Sequence, residues 1–170
     1  SINAAALGAA AALRSAGVQV LHVTGPKNDP GVPADGDAAV PYVIRPYLDG
    51  MADAYAAADL VLCRSGAMTV AELAAVGLPA AFVPYPHSNG EQRLNALPMT
   101  QAGGALLVDD AQLAPSWIIS TVIPVLTDPD RLASMTAAAR THGVRDADEV
   151  LARDVLQIAA GLPTDAGARP

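Results

Sequence analysis

The stretch Cys63-Arg64-Ser65-Gly66-Ala67-Met68-Thr69-Val70-Ala71-Glu72 joins an apolar run to a helical pattern through a single glycine. Unpaired backbone N–H groups at a helix start, together with the helix dipole, suit an anion such as a diphosphate. Ser65 and Thr69 add hydroxyl donors there, and Glu72, one turn in, can accept from two vicinal sugar hydroxyls. The T-x-x-E spacing of Thr69 and Glu72 is also that of a capping box, a structural device alone. Taken by themselves, these residues leave both readings open.

A second polar stretch, Pro84-Tyr85-Pro86-His87-Ser88-Asn89-Gly90-Glu91-Gln92-Arg93-Leu94-Asn95-Ala96, opens another helix. Gln92 and Asn95 are three apart and share one helix face, where two amides can bind several hydroxyls of a sugar. Polar residues at a helix start are, however, more often simply solvated. A third candidate is His22-Val23-Thr24-Gly25, where alternation puts His22 and Thr24 on one face of a strand. A histidine there is more often a satisfied core residue than a catalyst. His87 and His142 are scattered from it with no H-x-x-x-H spacing, so no metal site is expected. Cys63 is the single cysteine, which excludes an intramolecular disulfide and a multi-cysteine zinc site.

The elements that must carry these residues alternate. The pattern predicts helices over 2–16, 50–58, 69–76, 91–102, 115–126 (strained by Pro124), 129–142 and 146–160. It predicts short strands over 18–24, 40–47, 60–63, 80–83 and 105–108, with a loop over 25–37. Strands alternating with helices imply one parallel sheet of about five strands with helices on both faces, an α/β fold. In such a sheet ligands bind outside the carboxyl ends of the strands, where all three candidate stretches fall. One domain over 1–162 is expected, with a loose tail over 163–170.

Composition narrows the function. Of 170 residues, 52% are hydrophobic, enough to build a core and to set disorder aside. The formal charge of −7 argues against a nucleic-acid-binding face. Every apolar run is broken by Gly, Pro or a charge well before 18 residues, so no membrane-spanning helix is expected. The start at Ser1 has no signal-peptide pattern, and it lacks Met, which suggests a fragment or processed chain. The G-x-G-x-x-G, P-loop and G-x-S-x-G signatures do not occur.

Taken together, the segments Tyr47-Leu48-Asp49-Gly50-Met51, Ala58 to Glu72, Gly77-Leu78-Pro79-Ala80 and Gln92-Arg93-Leu94-Asn95-Ala96 resemble the MurG family. Its members are bacterial N-acetylglucosaminyltransferases of peptidoglycan synthesis. The resemblance runs from Ser1 to about Asp110 in order and spacing. It implies a Rossmann-like parallel sheet flanked by helices, the carboxyl-terminal, donor-binding half of the two-domain GT-B fold. The implied donor is UDP-N-acetylglucosamine. Leu48 would meet the uracil through its backbone, with Met51 packing nearby. Ala67, Met68 and Thr69 would present the helix start to the diphosphate, Glu72 would hold the ribose hydroxyls, and Ser65, Val70 and Ala71 would also be among the residues that bind the donor. Glu91, Gln92 and Asn95 would contact the sugar, although the family usually carries His or Gln where this chain has Glu91.

The resemblance further implies an inverting transfer of GlcNAc to a lipid-linked muramoyl-pentapeptide at the cytoplasmic face of the bacterial inner membrane. No cofactor would be required. The Gly-rich loop, the general base, the acceptor site and the membrane contact would lie in a preceding half that this chain lacks, leaving the isolated chain inactive. Two other readings stay open: a non-catalytic nucleotide-sugar-binding subunit of a split transferase, and another enzyme of the same architecture, either similar to UDP-GlcNAc 2-epimerases or a glycosyltransferase acting on a small aglycone.

Overall fold

The computed structural model of the chain describes residues 1–28, 39–87 and 89–161. Most of the loop expected over 25–37, together with Ser88 and the tail expected over 163–170, lies outside the described residues. The elements alternate as the sequence predicts: α1 (Ile2–Gly8), α2 (Ala10–Ser15), β1 (Val20–Val23), β2 (Tyr42–Arg45), α3 (Met51–Ala57), β3 (Val61–Cys63), α4 (Ala67–Val76), β4 (Ala80–Phe82), α5 (Glu91–Gln101) and β5 (Ala105–Leu107). A 3₁₀ turn (Asp110–Gln112) leads into α6 (Pro115–Trp117), a π-helical segment (Ile118–Val122), α7 (Ile123–Leu126), α8 (Pro129–Arg140) and α9 (Ala147–Ala159). The single helix expected over 2–16 is broken at Ala9, although the Ala9 N–H still reaches the Ala5 carbonyl at 3.1 Å. The π segment sits just before Pro124, whose missing N–H prevents a regular α-helical ladder there.

Among the described residues the strands pair as two parallel sheets, where the sequence predicts one sheet of about five strands; the parallel α/β architecture itself is as expected. β1 and β2 pair in parallel as a two-stranded sheet, and β3, β4 and β5 pair in parallel as a three-stranded one. With three or four residues per strand, only short ladders close. Packing joins what the ladders leave apart. Val20, Tyr42, Ile44, Leu60, Leu62, Ala81 and Leu106 from both sheets meet in one cluster with Ala5, Ala9, Ala10 and Leu13 of α1 and α2.

The period-2 alternation of the strands then decides the other face. Val61, Cys63, Ala80, Phe82, Ala105 and Leu107 point the opposite way, onto Leu73 and Ala74 of α4, Ala96 and Met99 of α5 and Ala139 of α8. Helices therefore cover both faces of the three-stranded sheet, as an α/β fold requires. The abundant alanines are what allow helices to lie close on so short a sheet. At Gly104 the approach is closer still, for a Cβ there would lie 2.6 Å from the backbone nitrogen of Ala139.

Candidate functional site

In a parallel β3–β4–β5 sheet, the chain leaving β3 and the chain leaving β4 emerge on the same edge. α4 follows the first and α5 the second, so two helix starts lie side by side. Ser65 fastens them together. It is fully buried, its hydroxyl donates to the Gln92 carbonyl at 2.8 Å, and its own carbonyl accepts from Asn95 Nδ2 at 3.2 Å. The Ser65 hydroxyl is thus committed inside the protein, where the sequence reading had offered it as a donor to a ligand.

α4 begins at Ala67, not at Thr69. Gly66 is the cap residue, in an extended conformation (φ −62°, ψ 148°), and no side chain caps the helix. The first backbone bond of the helix is Val70 N–H to the Gly66 carbonyl at 3.0 Å, which leaves the N–H groups of Ala67, Met68 and Thr69 without an intrahelical partner. Thr69 is therefore the third helical residue, and the T-x-x-E pair makes no capping box. Ala67, Met68, Ala71 and Glu72 are exposed, while Thr69 and Val70 are half-buried, Val70 packing onto the core. Glu72 accepts at Oε2 from the Tyr55 hydroxyl at 2.9 Å. The Tyr55 hydroxyl is pushed up to about 12, first by burial and then by its bond to Glu72, so it remains a donor.

On α5, Gln92 Oε1 accepts from the Tyr85 N–H at 2.9 Å, leaving its Nε2 without a described bond. Asn95 spends its Nδ2 on Ser65, and its Oδ1 faces no described partner. Both amides thus hold the edge in place with one atom while another is left over. Glu91, exposed at the first turn, accepts at Oε1 from Asn89 Nδ2 at 2.9 Å. Leu48 is half-buried in the turn after β2, and Met51, 42% exposed, opens α3 on the same helix face as Tyr55.

Arg64, to which the sequence reading assigned no role, ties this edge together. Its guanidinium donates to the carbonyls of Val83 (3.1 Å) and Pro84 (3.2 Å), pairs with Asp110 at 2.6 Å and lies 5.5 Å from the Tyr85 ring centre. It also donates to the Ser1 hydroxyl at 3.0 Å, bringing the start of α1 to the end of β3. The Ser1 hydroxyl, with Arg64 beside it, holds the Asp110 carboxyl below its usual range. The signal in the sequence was a cation placed directly after a buried apolar run.

His22 is a core residue, 6% exposed, with both ring nitrogens occupied. Asn3 donates from Nδ2 to the Thr24 carbonyl at 3.0 Å, so its Oδ1 faces His22 Nε2, which donates across 3.0 Å. His22 Nδ1 then accepts from the Tyr42 hydroxyl at 3.0 Å. Burial lowers the His22 pKa and pushes the Tyr42 hydroxyl up to about 12. Thr24, also buried, donates to the Asn28 carbonyl at 3.2 Å and shapes the turn after β1. This network also places the α1 start at the carboxyl end of β1, on the side where α4 and α5 begin. Among the described residues no group of three or more His, Cys, Asp or Glu could hold a metal ion, and no helix is long and apolar enough to cross a membrane.

The arrangement can receive an anion on the open N–H groups of α4 and a pair of hydroxyls on Glu72, with the α5 amides alongside. The family model for the glycosyltransferase family 28 C-terminal domain matches residues 1–151. A UDP-N-acetylglucosamine--N-acetylmuramyl-(pentapeptide) pyrophosphoryl-undecaprenol N-acetylglucosamine transferase of Thermobifida fusca (strain YX) is 55% identical over 161 residues, covering 95% of this chain and 42% of the relative. The enzyme of the same name from Mycolicibacterium smegmatis is 58% identical over 159 residues, covering 94% and 41%. The crystal structure of Acinetobacter baumannii MurG superposes with a TM-score of 0.71 at 27% identity, over 88% of this chain and 48% of that one. The chain thus spans about two fifths of the length of the curated relatives it matches. On a family match that takes in both helix starts and all five strands, the chain belongs to the glycosyltransferase family 28 C-terminal domains.

Proposed function

We propose that this chain binds UDP-N-acetylglucosamine and forms the donor half of an inverting hexosyltransferase acting in peptidoglycan synthesis. The observation that carries the reading is the open start of α4: three N–H groups without intrahelical partners, followed one turn later by an exposed carboxylate. The diphosphate lies on Ala67, Met68 and Thr69, with Val70 and Ala71 completing the first turn. Glu72 accepts from the ribose hydroxyls, and Leu48 and Met51 flank the uracil. Gln92 Nε2, Asn95 Oδ1 and Glu91 face the sugar hydroxyls, while Ser65 positions rather than binds.

In the transfer, an acceptor hydroxyl attacks the sugar C1, the bond from C1 to the diphosphate oxygen breaks, and UDP departs with the electron pair. The attacking hydroxyl loses its proton to a base outside this chain. Charge that builds on the departing diphosphate is met by the fixed N–H dipoles of α4, with no resident metal assigned to the task. The acceptor is the undecaprenyl-pyrophosphoryl muramoyl-pentapeptide, met at the cytoplasmic face of the membrane by parts of the enzyme outside these residues. The relatives' names and the 55–58% identity to them support this reading.

Titration of the ¹⁵N-labelled chain with UDP tests the site. The amide resonances of Ala67, Met68 and Thr69 should move most, with those of Glu72 and Met51 following. Movement confined to residues away from α4 would refute the assignment.

A further inference from the structure

Glu72 is exposed on α4, and its three side-chain bonds would ordinarily leave the carboxylate free to sample many rotamers. The structure holds it from outside its own helix. Its partner, Tyr55, comes from α3, and the 2.9 Å bond between them spans the gap between the two helices. Tyr55 is itself anchored, since its ring packs against the core cluster that includes Leu73, Ala74 and Phe82. Met51, Tyr55 and Glu72 together line part of a cavity of about 770 Å³ between α3, α4 and α8.

We propose that Tyr55 is a positioning residue for nucleoside recognition: its hydroxyl fixes the Glu72 carboxylate so that the oxygen lone pairs left over accept both ribose hydroxyls. The inference rests on the reading of Glu72 as the ribose acceptor. An ionised carboxylate offers about four acceptor sites. One taken by Tyr55 leaves enough for two vicinal hydroxyls, and holding the carboxylate in advance removes the ordering cost from the binding step. The phenol suits this task because it stays protonated at neutral pH. Its rigid ring also delivers the donor without adding flexibility of its own.

The test measures, by calorimetry on the full chain, the ratio of affinities for UDP and 2′-deoxy-UDP. The ratio is taken within each variant, so any unfolded fraction scales both affinities alike. The wild type should prefer UDP by about tenfold, the order expected of one hydrogen bond to a charged group. Tyr55→Phe, which keeps the ring, should cut that preference to about threefold or less, in line with one lost orienting bond. Glu72→Gln should bring it close to one, and the double variant should lose nothing further.

If Glu72→Gln abolishes the preference while Tyr55→Phe keeps the wild-type ratio, the positioning role is overturned and the ribose reading stands. Independent, additive losses in the double variant would overturn the coupling as well. If Glu72→Gln keeps the wild-type ratio, the ribose reading fails and the proposal falls with it.

Discussion

The buried hydroxyl of Ser65 donates to the backbone carbonyl of Gln92 at 2.8 Å, joining the chain that leaves β3 to the first turn of α5. The bond fixes the spacing between the two helix starts at which the nucleotide sugar is proposed to bind. It follows that Ser65→Ala should destabilise the fold by about 1–2 kcal/mol, the usual cost of a lost buried hydrogen bond. Urea unfolding measures this. The loss of UDP affinity should appear together with the loss of stability. Weaker binding in a variant of unchanged stability would mean that the hydroxyl touches the ligand directly.

The three-stranded sheet makes a different demand at Gly104, where a Cβ would meet the backbone of Ala139 at 2.6 Å. Backbone cannot swing aside as a long side chain can. Gly104→Ala should therefore push α8 from the sheet and cost about 1–3 kcal/mol, as overpacking does. An unfolding midpoint equal to wild type would show that α8 tolerates the shift.

His22 titrates in the other direction from a salt-bridged histidine. Burial lowers its folded-state pKa below the ordinary 6.5. On acidification the unfolded chain therefore takes up the proton first, and His22 contributes a loss of stability that begins as pH falls toward 6.5. That loss levels off once pH passes below the folded-state pKa. An NMR titration of the His22 ring should place its midpoint under 6.5, and a midpoint at or above that value would contradict the buried neutral form.

Cys63, on β3 against the core, is held as a thiol because burial pushes its pKa up to about 12. At pH 8 only about one part in ten thousand would be thiolate, the reactive form. Iodoacetamide should modify the folded chain far more slowly than the urea-unfolded chain. Equal rates would show that the thiol is free.

Much of this architecture was legible because the strands are short apolar runs bounded by Gly, Pro or Asp, and because helices fill the intervals. Leu60 to Cys63 and Ala80 to Val83 read as strands from composition alone, although only the second is buried and the first is half-buried. The division into two ladders was not legible, since β1 and β3 share a core without sharing hydrogen bonds, and residue type does not distinguish the two. At the site, the T-x-x-E pattern pointed to a helix beginning at Thr69. The structure instead caps α4 with Gly66, because Ser65, the nearest hydroxyl, is drawn inward to α5. No local spacing rule marks Tyr55 or Arg64, because their partners lie 17 or more residues away in the chain.

The open start of α4 and the carboxylate of Glu72 are proposed as one nucleotide-sugar site. Calorimetric titration of UDP into the wild type and Glu72→Ala tests it most directly. Glu72→Ala should lose about 1–3 kcal/mol of binding, roughly 5- to 160-fold in affinity, with little change in stability, since Glu72 is exposed and caps nothing. Equal affinity for UDP in the two proteins would contradict it.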